Sequence, residues 1–426
     1  MLILTVSVSL LAAMLFVMLF RPSGVIYVRR LAIPALCIIF VLCLLLFSKT
    51  AVTAASRGLH LWFDIVFPSL FPFFVASEIL NATGFAKAAG ILLEPVMRPV
   101  FNVPGCGSLA LLMGVASGYP TGAKITCDLR MKGAVTRTEA ERLLAFTNNS
   151  GPLFITGAVA TGMYGAPTLG LFLLACHIAA CLTVGVLFRF YGHERMPPVK
   201  ARKGRLLARF RQELKQPSGI PGRNAATLFG DAVRNSISLI LAIGGFIILF
   251  SVIINLLLDS GVIGGLASAS ATVLSPLGMD KNTVAALISG FFEITTGSSL
   301  TSTLKGVPLT QQLPVASFII GWAGLSVHSQ VLSITGKTDI SIKPYLFAKL
   351  LQGVLAAAYT WAGLRMFGPY IGLSSPVMMQ FKVLETNWLE TATISLTQLT
   401  LIVAFFLLLF IGSKAVRFLY KKKPWI

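Results

Sequence analysis

The stretch ASGYPTGAK, residues Ala116–Lys124, interrupts a long apolar segment of the chain. Gly118, Pro120 and Gly122 stand within it, and glycine and proline both weaken or end a helix. Irregular backbone at membrane depth is tolerated only where protein or a watery cavity satisfies its free N–H and C=O groups. The stretch therefore predicts the tip of a re-entrant helical hairpin rather than a simple transmembrane helix.

The composition is that of a chain embedded in a lipid bilayer. Of 426 residues, 55% are hydrophobic and only 12% are charged, whereas a soluble domain carries roughly 25% charged residues; the mean hydropathy is +0.82. Uncharged runs long enough to cross a bilayer are Met1–Phe20, Leu31–Ser48, Asn235–Leu258, Thr391–Ser413 and, long enough to cross twice, Leu143–Phe188. The sequence predicts an all-α polytopic membrane protein.

The net charge of +20 is distributed in clusters between apolar segments. This distribution is typical of loops that face the cytoplasm and touch anionic lipid head groups, and it argues against nucleic acid as a partner. The clustered residues are Arg189, Arg195, Lys200, Arg202, Lys203, Arg205, Arg209, Arg211, Lys215 and Lys421–Lys423.

These clusters orient nine predicted crossings. The crossings are Met1–Phe20 (taken as a retained helix, not a cleaved signal), Leu31–Ser48, Leu59–Leu80, Arg142–Met163, Pro167–Phe188, Ser236–Leu258, Leu313–Thr335, Pro344–Leu364 and Ile394–Gly412. Residues 107–131 and 282–304 are apolar but broken at their centres, so they are predicted to be re-entrant hairpins that open from the inside and from the outside, respectively. Segments 85–104 and 262–276 are either interfacial helices or short crossings.

The two halves of the chain resemble each other at a nearly constant offset. Gly84 falls on Gly261, and the break GYPTGAK falls on EITTGSS, with Gly122 over Gly297. An odd number of crossings in each copy inverts the second copy, which is the plan of many secondary transporters. The predicted domains are 1–48 (two N-terminal helices), 49–190 (first repeat), 191–230 (basic cytoplasmic loop), 231–366 (second, inverted repeat) and 367–426 (C-terminal helix and basic tail).

Four stretches carry a resemblance to a known family: FPSLFPFFVASEILNATG, ASGYPTGAK, FTNNSGPLFI and GFFEITTGSS. Over about residues 57–366 the chain resembles the sporulation integral membrane protein family of spore-forming Firmicutes (the YlbJ type). That family has two nucleoside-recognition, or gate, domains and is similar in plan to concentrative nucleoside transporters. The resemblance implies movement of dipicolinic acid during spore formation, in the mother-cell-derived membrane around the forespore.

The first hairpin tip offers a site for a carboxylate. The half-helix that starts near Thr121 points unsatisfied N–H groups and the positive end of its dipole at the predicted cavity. Lys124 adds a charge one turn later, unless its side chain instead extends to the cytoplasmic interface. The predicted substrate-binding residues of this hairpin are Ser117, Gly118, Tyr119, Pro120, Thr121, Gly122 and Lys124.

Polar residues of the next span and of the second repeat complete the predicted site. Asn148 and Asn149 supply amide donors and acceptors, although interhelical hydrogen bonds would also explain them. Glu293 is the only acid between residues 282 and 304; it is predicted to couple Na⁺ or protons, with a salt bridge to Lys124 as the structural alternative. The remaining predicted substrate-binding residues are Thr147, Asn148, Asn149, Ser150, Thr295, Thr296, Gly297, Ser298, Ser299, Ser326, His328 and Gln330.

Three functions remain open at this point. The first is a carrier of a small organic anion, dipicolinic acid by resemblance, that works by alternating access between the hairpin tips. The second is a nucleoside carrier coupled to Na⁺ or H⁺, and the third is a non-transporting membrane scaffold required for sporulation. No Ser/His/Asp set, metal-ligand spacing or cofactor loop occurs in the sequence, so no enzyme, metal or cofactor is predicted.

The predicted partners follow from these functions. They are a small-molecule substrate, the lipid bilayer, and either further copies of the chain or other sporulation membrane proteins.

Overall fold

A computed structural model describes residues 24–192, 206–215 and 225–367. Every regular element in these ranges is helical. The α-helices are α1 (Gly24–Leu46), α2 (Ser48–Ala82, with a π-helical turn at Leu61–Val66), α3 (Phe85–Val96), α4 (Ser108–Ala116), α5 (Thr121–Met131), α6 (Arg137–Thr147), α7 (Thr168–Phe188), α8 (Leu206–Lys215), α9 (Ala225–Asp259), α10 (Val262–Leu274), α11 (Lys281–Phe292), α12 (Ile294–Ser302), α13 (Leu309–Trp322), α14 (Gly324–Thr335) and α15 (Ile342–Phe367).

Some predictions fall outside the described ranges. These are the crossings Met1–Phe20 and Ile394–Gly412, most of the basic loop 191–230, and nearly all of the C-terminal region 367–426.

Several of the described helices are long and apolar enough to cross a membrane. Four satisfy this by themselves: Ser48–Ala82, Thr168–Phe188, Ala226–Asp259 and Leu309–Thr335. A fifth span arises if Phe85–Phe101 and Gly105–Ala116, which meet at 114°, form one broken crossing. The prediction of an all-α protein with several membrane-spanning helices is confirmed at this level.

Helices α2 and α9 pack closely against each other along much of their length. Trp62 Nε1 donates to the carbonyl oxygen of Ile240 at 3.0 Å, and Ser251 Oγ donates to that of Ala54 at 2.9 Å. Gly58 makes the close approach possible, because a Cβ at this position would lie 2.9 Å from the Cβ of Ser251. Small residues at such crossings are typical of helix packing in membranes.

Two pairs of short helices fold back on themselves within the segments 107–131 and 282–304. The first helix pair is α4 with α5, and the second helix pair is α11 with α12. Cys106 Sγ lies 3.7 Å from the carbonyl oxygen of Ala134, so the beginning and the end of the first pair meet. Within the second pair, a Cβ on Gly297 would lie 2.1 Å from the Cα of Gly290, so only glycine permits this helix contact.

The helix that follows each pair is broken, whereas the sequence predicted one continuous span in each place. Helix α6 ends at Thr147, the chain is irregular at residues 148–151, and a π-helical segment, Phe154–Met163, continues it. In the second half, Ala323 takes a left-handed φ of 79° between α13 and α14. Pro152 cannot donate a backbone hydrogen bond, which favours the first break.

Candidate functional site

The breaks in the two helix pairs and in the two following helices converge on one cavity, here called the central cavity. Its volume is about 60 Å³, and since a single water needs roughly 10–15 Å³ on this measure, it has room for several waters. Phe73 and Phe74 of α2 and Phe246 of α9 contribute to its apolar wall. Its polar wall consists of Ser117, Tyr119, Ser150, Glu293, Thr295, Ser326 and Gln330.

The first tip, residues 117–120, is docked against the break at residues 147–151. Gly118 has a φ of +78°, and a Cβ there would lie 2.5 Å from the backbone nitrogen of Gly151. A Cβ on Gly122 would lie 2.1 Å from the carbonyl oxygen of Thr147. Helix α5 then starts at Thr121, and no side chain caps its N-terminus. The amide groups at this end therefore give the first tip a partial positive charge.

The second tip is built around a buried carboxylate. Glu293 is 2% exposed, and its two carboxylate oxygens accept hydrogen bonds from the backbone nitrogens of Thr295 at 2.8 Å and Thr296 at 2.5 Å. The side chain thus caps helix α12, at an end of the helix where the dipole favours a negative charge. Gly324 packs against the tip, since a Cβ there would lie 3.0 Å from the backbone nitrogen of Ile294. The salt bridge between Glu293 and Lys124 is not formed.

A polar network lies behind the first tip and is centred on Lys349 of α15. Lys349 is 0% exposed, and its Nζ donates to the carbonyl oxygen of Asn148 at 2.8 Å and to Gln352 Oε1 at 2.6 Å. Asn149 Oδ1 lies 3.5 Å from the same Nζ and accepts from Gln352 Nε2 at 2.9 Å. The Tyr119 ring lies on the remaining side, with its centroid 5.4 Å from Nζ.

Tyr345 and two histidines extend this network. Asn148 Nδ2 donates to the Tyr345 hydroxyl at 3.0 Å, and His328 Nδ1 lies 3.3 Å from the same hydroxyl. His177 Nε2 lies 3.5 Å from Gln352 Nε2. The network thus connects the broken segment after α6 with helices α7, α14 and α15.

Several polar atoms around the cavity and the network are buried without a hydrogen-bond partner. They include Ser117 Oγ, the Tyr119 hydroxyl oxygen, Asn148 Oδ1, Thr296 Oγ1, Ser298 Oγ and His328 Nε2. A buried polar group without a partner costs about 1–3 kcal/mol, so a bound solute or water that satisfied these groups would be stabilised.

The structure divides the predicted site residues into four groups. Those on the wall of the central cavity are Ser117, Tyr119, Ser150, Thr295, Ser326, Gln330 and Glu293. Those in the network are Asn148, Asn149 and His328. Those that shape the tips are Gly118, Pro120, Thr121, Gly122, Thr147, Gly297 and the buried Ser298. Thr296 and Ser299 line a second cavity between α2, α9 and α12.

Lys124 belongs to none of these groups, because it is exposed on α5 and does not line the central cavity. The buried cation near the first tip is Lys349, which the sequence reasoning missed together with Tyr345, Gln352 and His177. A signal was present in the sequence. Lys349 is the only charged residue between Lys343 and Arg365, and an isolated charge inside a membrane helix usually has a functional role and a partner. Tyr345, Lys349 and Gln352 also share one helical face.

Comparisons with known proteins show the family of the chain. The family model for nucleoside recognition (Gate) matches residues 63–188 and 240–338. The chain is 40% identical over 355 residues to the sporulation integral membrane protein YlbJ of Bacillus subtilis (strain 168), with 80% of this chain and 84% of that protein covered. A solved structure of a CNTnw variant in the intermediate 3 state aligns with a TM-score of 0.44 at 12% identity, over 83% of this chain and 90% of that chain. The chain belongs to the nucleoside-recognition (Gate) family and, within it, to the family of the sporulation integral membrane protein YlbJ.

Proposed function

We propose that the protein is an alternating-access carrier of a small organic anion, with dipicolinic acid as its cargo during spore formation. The observation that carries this proposal is the central cavity, which lies between two helix tips and is lined by buried polar atoms without partners. Sites of this kind, at the junction of broken helices, hold the substrates of many secondary transporters. The proposed location is the mother-cell-derived membrane around the forespore.

The proposed topology has two inverted repeats, residues 49–190 and 231–366, within nine crossings. In it, each helix pair is a re-entrant hairpin, which enters and leaves on the same side of the membrane. This is supported by the contact of Cys106 with Ala134 at the base of the first pair, and by the close approach of Gly297 to Gly290, which packs the two helices of the second pair against each other. Irregular backbone at both tips is buried in protein, as a membrane requires.

An anion suits the electrostatics of the first tip. The uncapped N-terminus of α5 directs a partial positive charge toward the cavity. Lys349 adds a full charge behind the Tyr119 ring, 5.4 Å from its centroid. A carboxylate beside Ser117 and Tyr119 would also give hydrogen-bond partners to two hydroxyl groups that have none. Glu293, on the other side of the cavity, is the proposed site of proton or cation coupling.

The direct test is dipicolinate binding to the purified protein in nanodiscs, measured by calorimetry. Ser326→Leu adds bulk to the cavity wall, and Ser329→Leu adds the same bulk at an exposed position of the same helix. We expect saturable binding in the wild type and in Ser329→Leu, and loss of binding in Ser326→Leu. Unchanged binding in a folded Ser326→Leu variant would place the site elsewhere, and absence of binding at millimolar ligand would exclude dipicolinate.

A nucleoside is the second candidate cargo. It is favoured by the match to a nucleoside-recognition family model and by a cavity wall that combines aromatic rings with hydroxyl and amide groups. A competition panel separates the two cargoes, because nucleosides would displace a bound nucleoside and dipicolinate would not. Failure of both ligands to bind would favour a scaffold that transports nothing.

A further inference from the structure

Lys349 is a buried cation whose partners are all neutral. Three oxygens surround its Nζ: the carbonyl oxygen of Asn148 at 2.8 Å, Gln352 Oε1 at 2.6 Å and Asn149 Oδ1 at 3.5 Å. Within the described part of the chain, no carboxylate forms an ion pair with it. Burying an unpaired ammonium in a membrane protein is costly, so the surrounding oxygens must compensate.

These oxygens form the type of ligand set that a free monovalent cation uses. Asn148 lies where α6 has ended, so its carbonyl oxygen has left the helical hydrogen-bond ladder. Carbonyl groups of unwound helix segments coordinate Na⁺ in many transporters. The two amide oxygens converge on the same point, and the face of the Tyr119 ring completes the surroundings with a cation–π contact.

The position of Tyr119 decides whether Lys349 contacts a bound solute directly or acts on it only from behind the cavity wall. Tyr119 lines the central cavity, whereas Lys349 does not. The ammonium group donates to oxygens of the protein, and the aromatic ring that lies next to it also forms part of the cavity wall. A bound solute therefore contacts the Tyr119 ring and is attracted by the charge of Lys349, but does not contact its ammonium group.

We infer that the Lys349 ammonium is a tethered cation that occupies the place of a free Na⁺ between the first tip and the broken segment 148–151. The lysine holds the Asn148 carbonyl and the Asn149 amide in position and keeps the first tip docked. No dissociable cation is needed there, so the protein does not require Na⁺ at this site. The conclusion that cargo transport is not coupled to Na⁺ at this site rests on the proposed carrier function. It leaves Glu293 as the group that couples transport to protons.

The inference predicts that removal of the side chain creates a cation site. Lys349→Ala leaves the carbonyl and amide oxygens without their partner, and Lys349→Met does the same with less change in volume. We expect both variants to unfold several degrees below the wild type in choline chloride. Na⁺, or methylammonium as the soluble analogue of the lost group, should raise the unfolding temperature again in a saturable manner, because a ligand that binds only the folded state stabilises it.

The experiment is a thermal unfolding series on the purified protein in detergent, at constant ionic strength, with NaCl, methylammonium chloride or choline chloride. Lys343→Ala is the matched control, since Lys343 is an exposed lysine on the same helix. The wild type and Lys343→Ala should unfold at the same temperature in all three salts. No cargo is present, so the result is independent of whether the protein carries an anion.

Two results would overturn the inference. One is a saturable stabilisation by Na⁺ over choline that is found in the wild type and persists in Glu293→Gln, which would mean that a free cation site exists although Lys349 is present. This measurement decides the matter even if neither Lys349 variant can be purified. The other is a stable Lys349→Met variant whose unfolding temperature is the same in all three salts.

Discussion

The two helix tips occupy corresponding places in the two halves of the chain, yet their local electrostatics are opposite. At the first tip, Gly118 permits a close approach to Gly151, and the helix that follows has no side-chain cap. At the second tip, the corresponding residue in the sequence register is Glu293, whose carboxylate caps the following helix. The first tip is therefore positive, with Lys349 behind it, and the second tip is negative.

This difference shows how one backbone plan can support two roles. Both tips are held by glycine against the backbone of the next broken helix, so the packing is the same in kind. The cap is the part that differs, and it decides the sign of the charge that faces the central cavity. A cavity between a positive and a negative tip is suited to an anion on one side and to a coupling proton or cation on the other.

Substitution of the glycines that pack the two tips is expected to cause the largest loss of stability. Gly122→Ala and Gly297→Ala would each place a Cβ 2.1 Å from backbone atoms, so the first tip cannot dock on Thr147, and the two helices of the second pair cannot meet at Gly290, without a shift of the chain. Overpacking costs typically 1–3 kcal/mol, and we expect about the upper value for both variants in thermal unfolding. In the control Gly245→Ala, nothing lies within 4 Å of the added Cβ. Equal stability of all three variants would show that the tips are not docked as described.

Removal of the Glu293 carboxylate from the second tip is expected to have the next largest effect on stability. Glu293→Ala removes both acceptors of the cap and should cost about 0.5–2 kcal/mol in unfolding free energy. Glu293→Gln keeps one amide oxygen as an acceptor and should cost less. Because the negative charge across the cavity is removed, Glu293→Gln should bind dipicolinate more tightly in calorimetry, whereas Glu78→Gln, on α2, should not. Weaker binding in Glu293→Gln would mean that the carboxylate contributes to cargo binding.

A smaller loss of stability is expected when the ion pair at the end of the first helix pair is removed. Arg130 Nε and Nη2 donate to the two carboxylate oxygens of Asp339, at 2.8 and 2.7 Å, and join the first pair to the loop before α15. This hydrogen-bonded guanidinium holds the pKa of Asp339 below its ordinary value. The pair is exposed, so Asp339→Asn should cost at most about 1 kcal/mol.

The pH dependence of this contact follows from the sign of the shift. A lowered pKa in the folded state stabilises the protein above the unfolded-state pKa, which is about 3.9 for Asp, and the contribution is lost as the pH falls through the lowered value. The difference in unfolding temperature between the wild type and Asp339→Asn should therefore be present at pH 7 and shrink below about pH 4. A difference that did not shrink in acid would exclude the ion pair as its cause. Lys337→Ala, at an exposed position of the same loop, is the control.

Lys124 gives the smallest expected effect. The sequence predicted it as a ligand of the anion, but the structure places it on the exposed side of α5. Lys124→Ala should leave both dipicolinate binding and thermal unfolding unchanged. Loss of binding in a folded Lys124→Ala variant would restore the predicted role and would mean that α5 rotates when the cargo binds.

The breaks within the two helix pairs were predictable, because local chemistry causes them, whereas the breaks in the two following helices were not predicted. Gly118, Pro120 and Gly122 mark the first tip in the sequence, and the structure starts α5 at Thr121, as predicted. The second break was predicted near Glu293 and lies there. The break at Ala323 was not predicted, because alanine carries no local signal for a left-handed conformation.

The candidate site was predictable only in part. Polar residues inside apolar segments identified much of the cavity wall, including Ser117, Ser150 and Ser326. Sequence reasoning assigned the cation of the site to Lys124, which follows the helix breakers, and overlooked Lys349, which stands alone between Lys343 and Arg365. Burial depends on which face of each helix meets its neighbours, and that depends on contacts between residues about 200 positions apart, such as Lys349 with Asn148.

The sequence by itself determined the class of the protein and the positions of the two tips. Hydrophobicity and helix breakers are local properties, and a membrane allows few ways to satisfy the backbone. Only the tertiary structure decided that Glu293 caps its own helix rather than pairing with Lys124, and that Lys349 supplies the buried cation. The physical reason is that a charge is stabilised by whatever surrounds it in three dimensions, and distant segments bring those groups together only when the chain is folded.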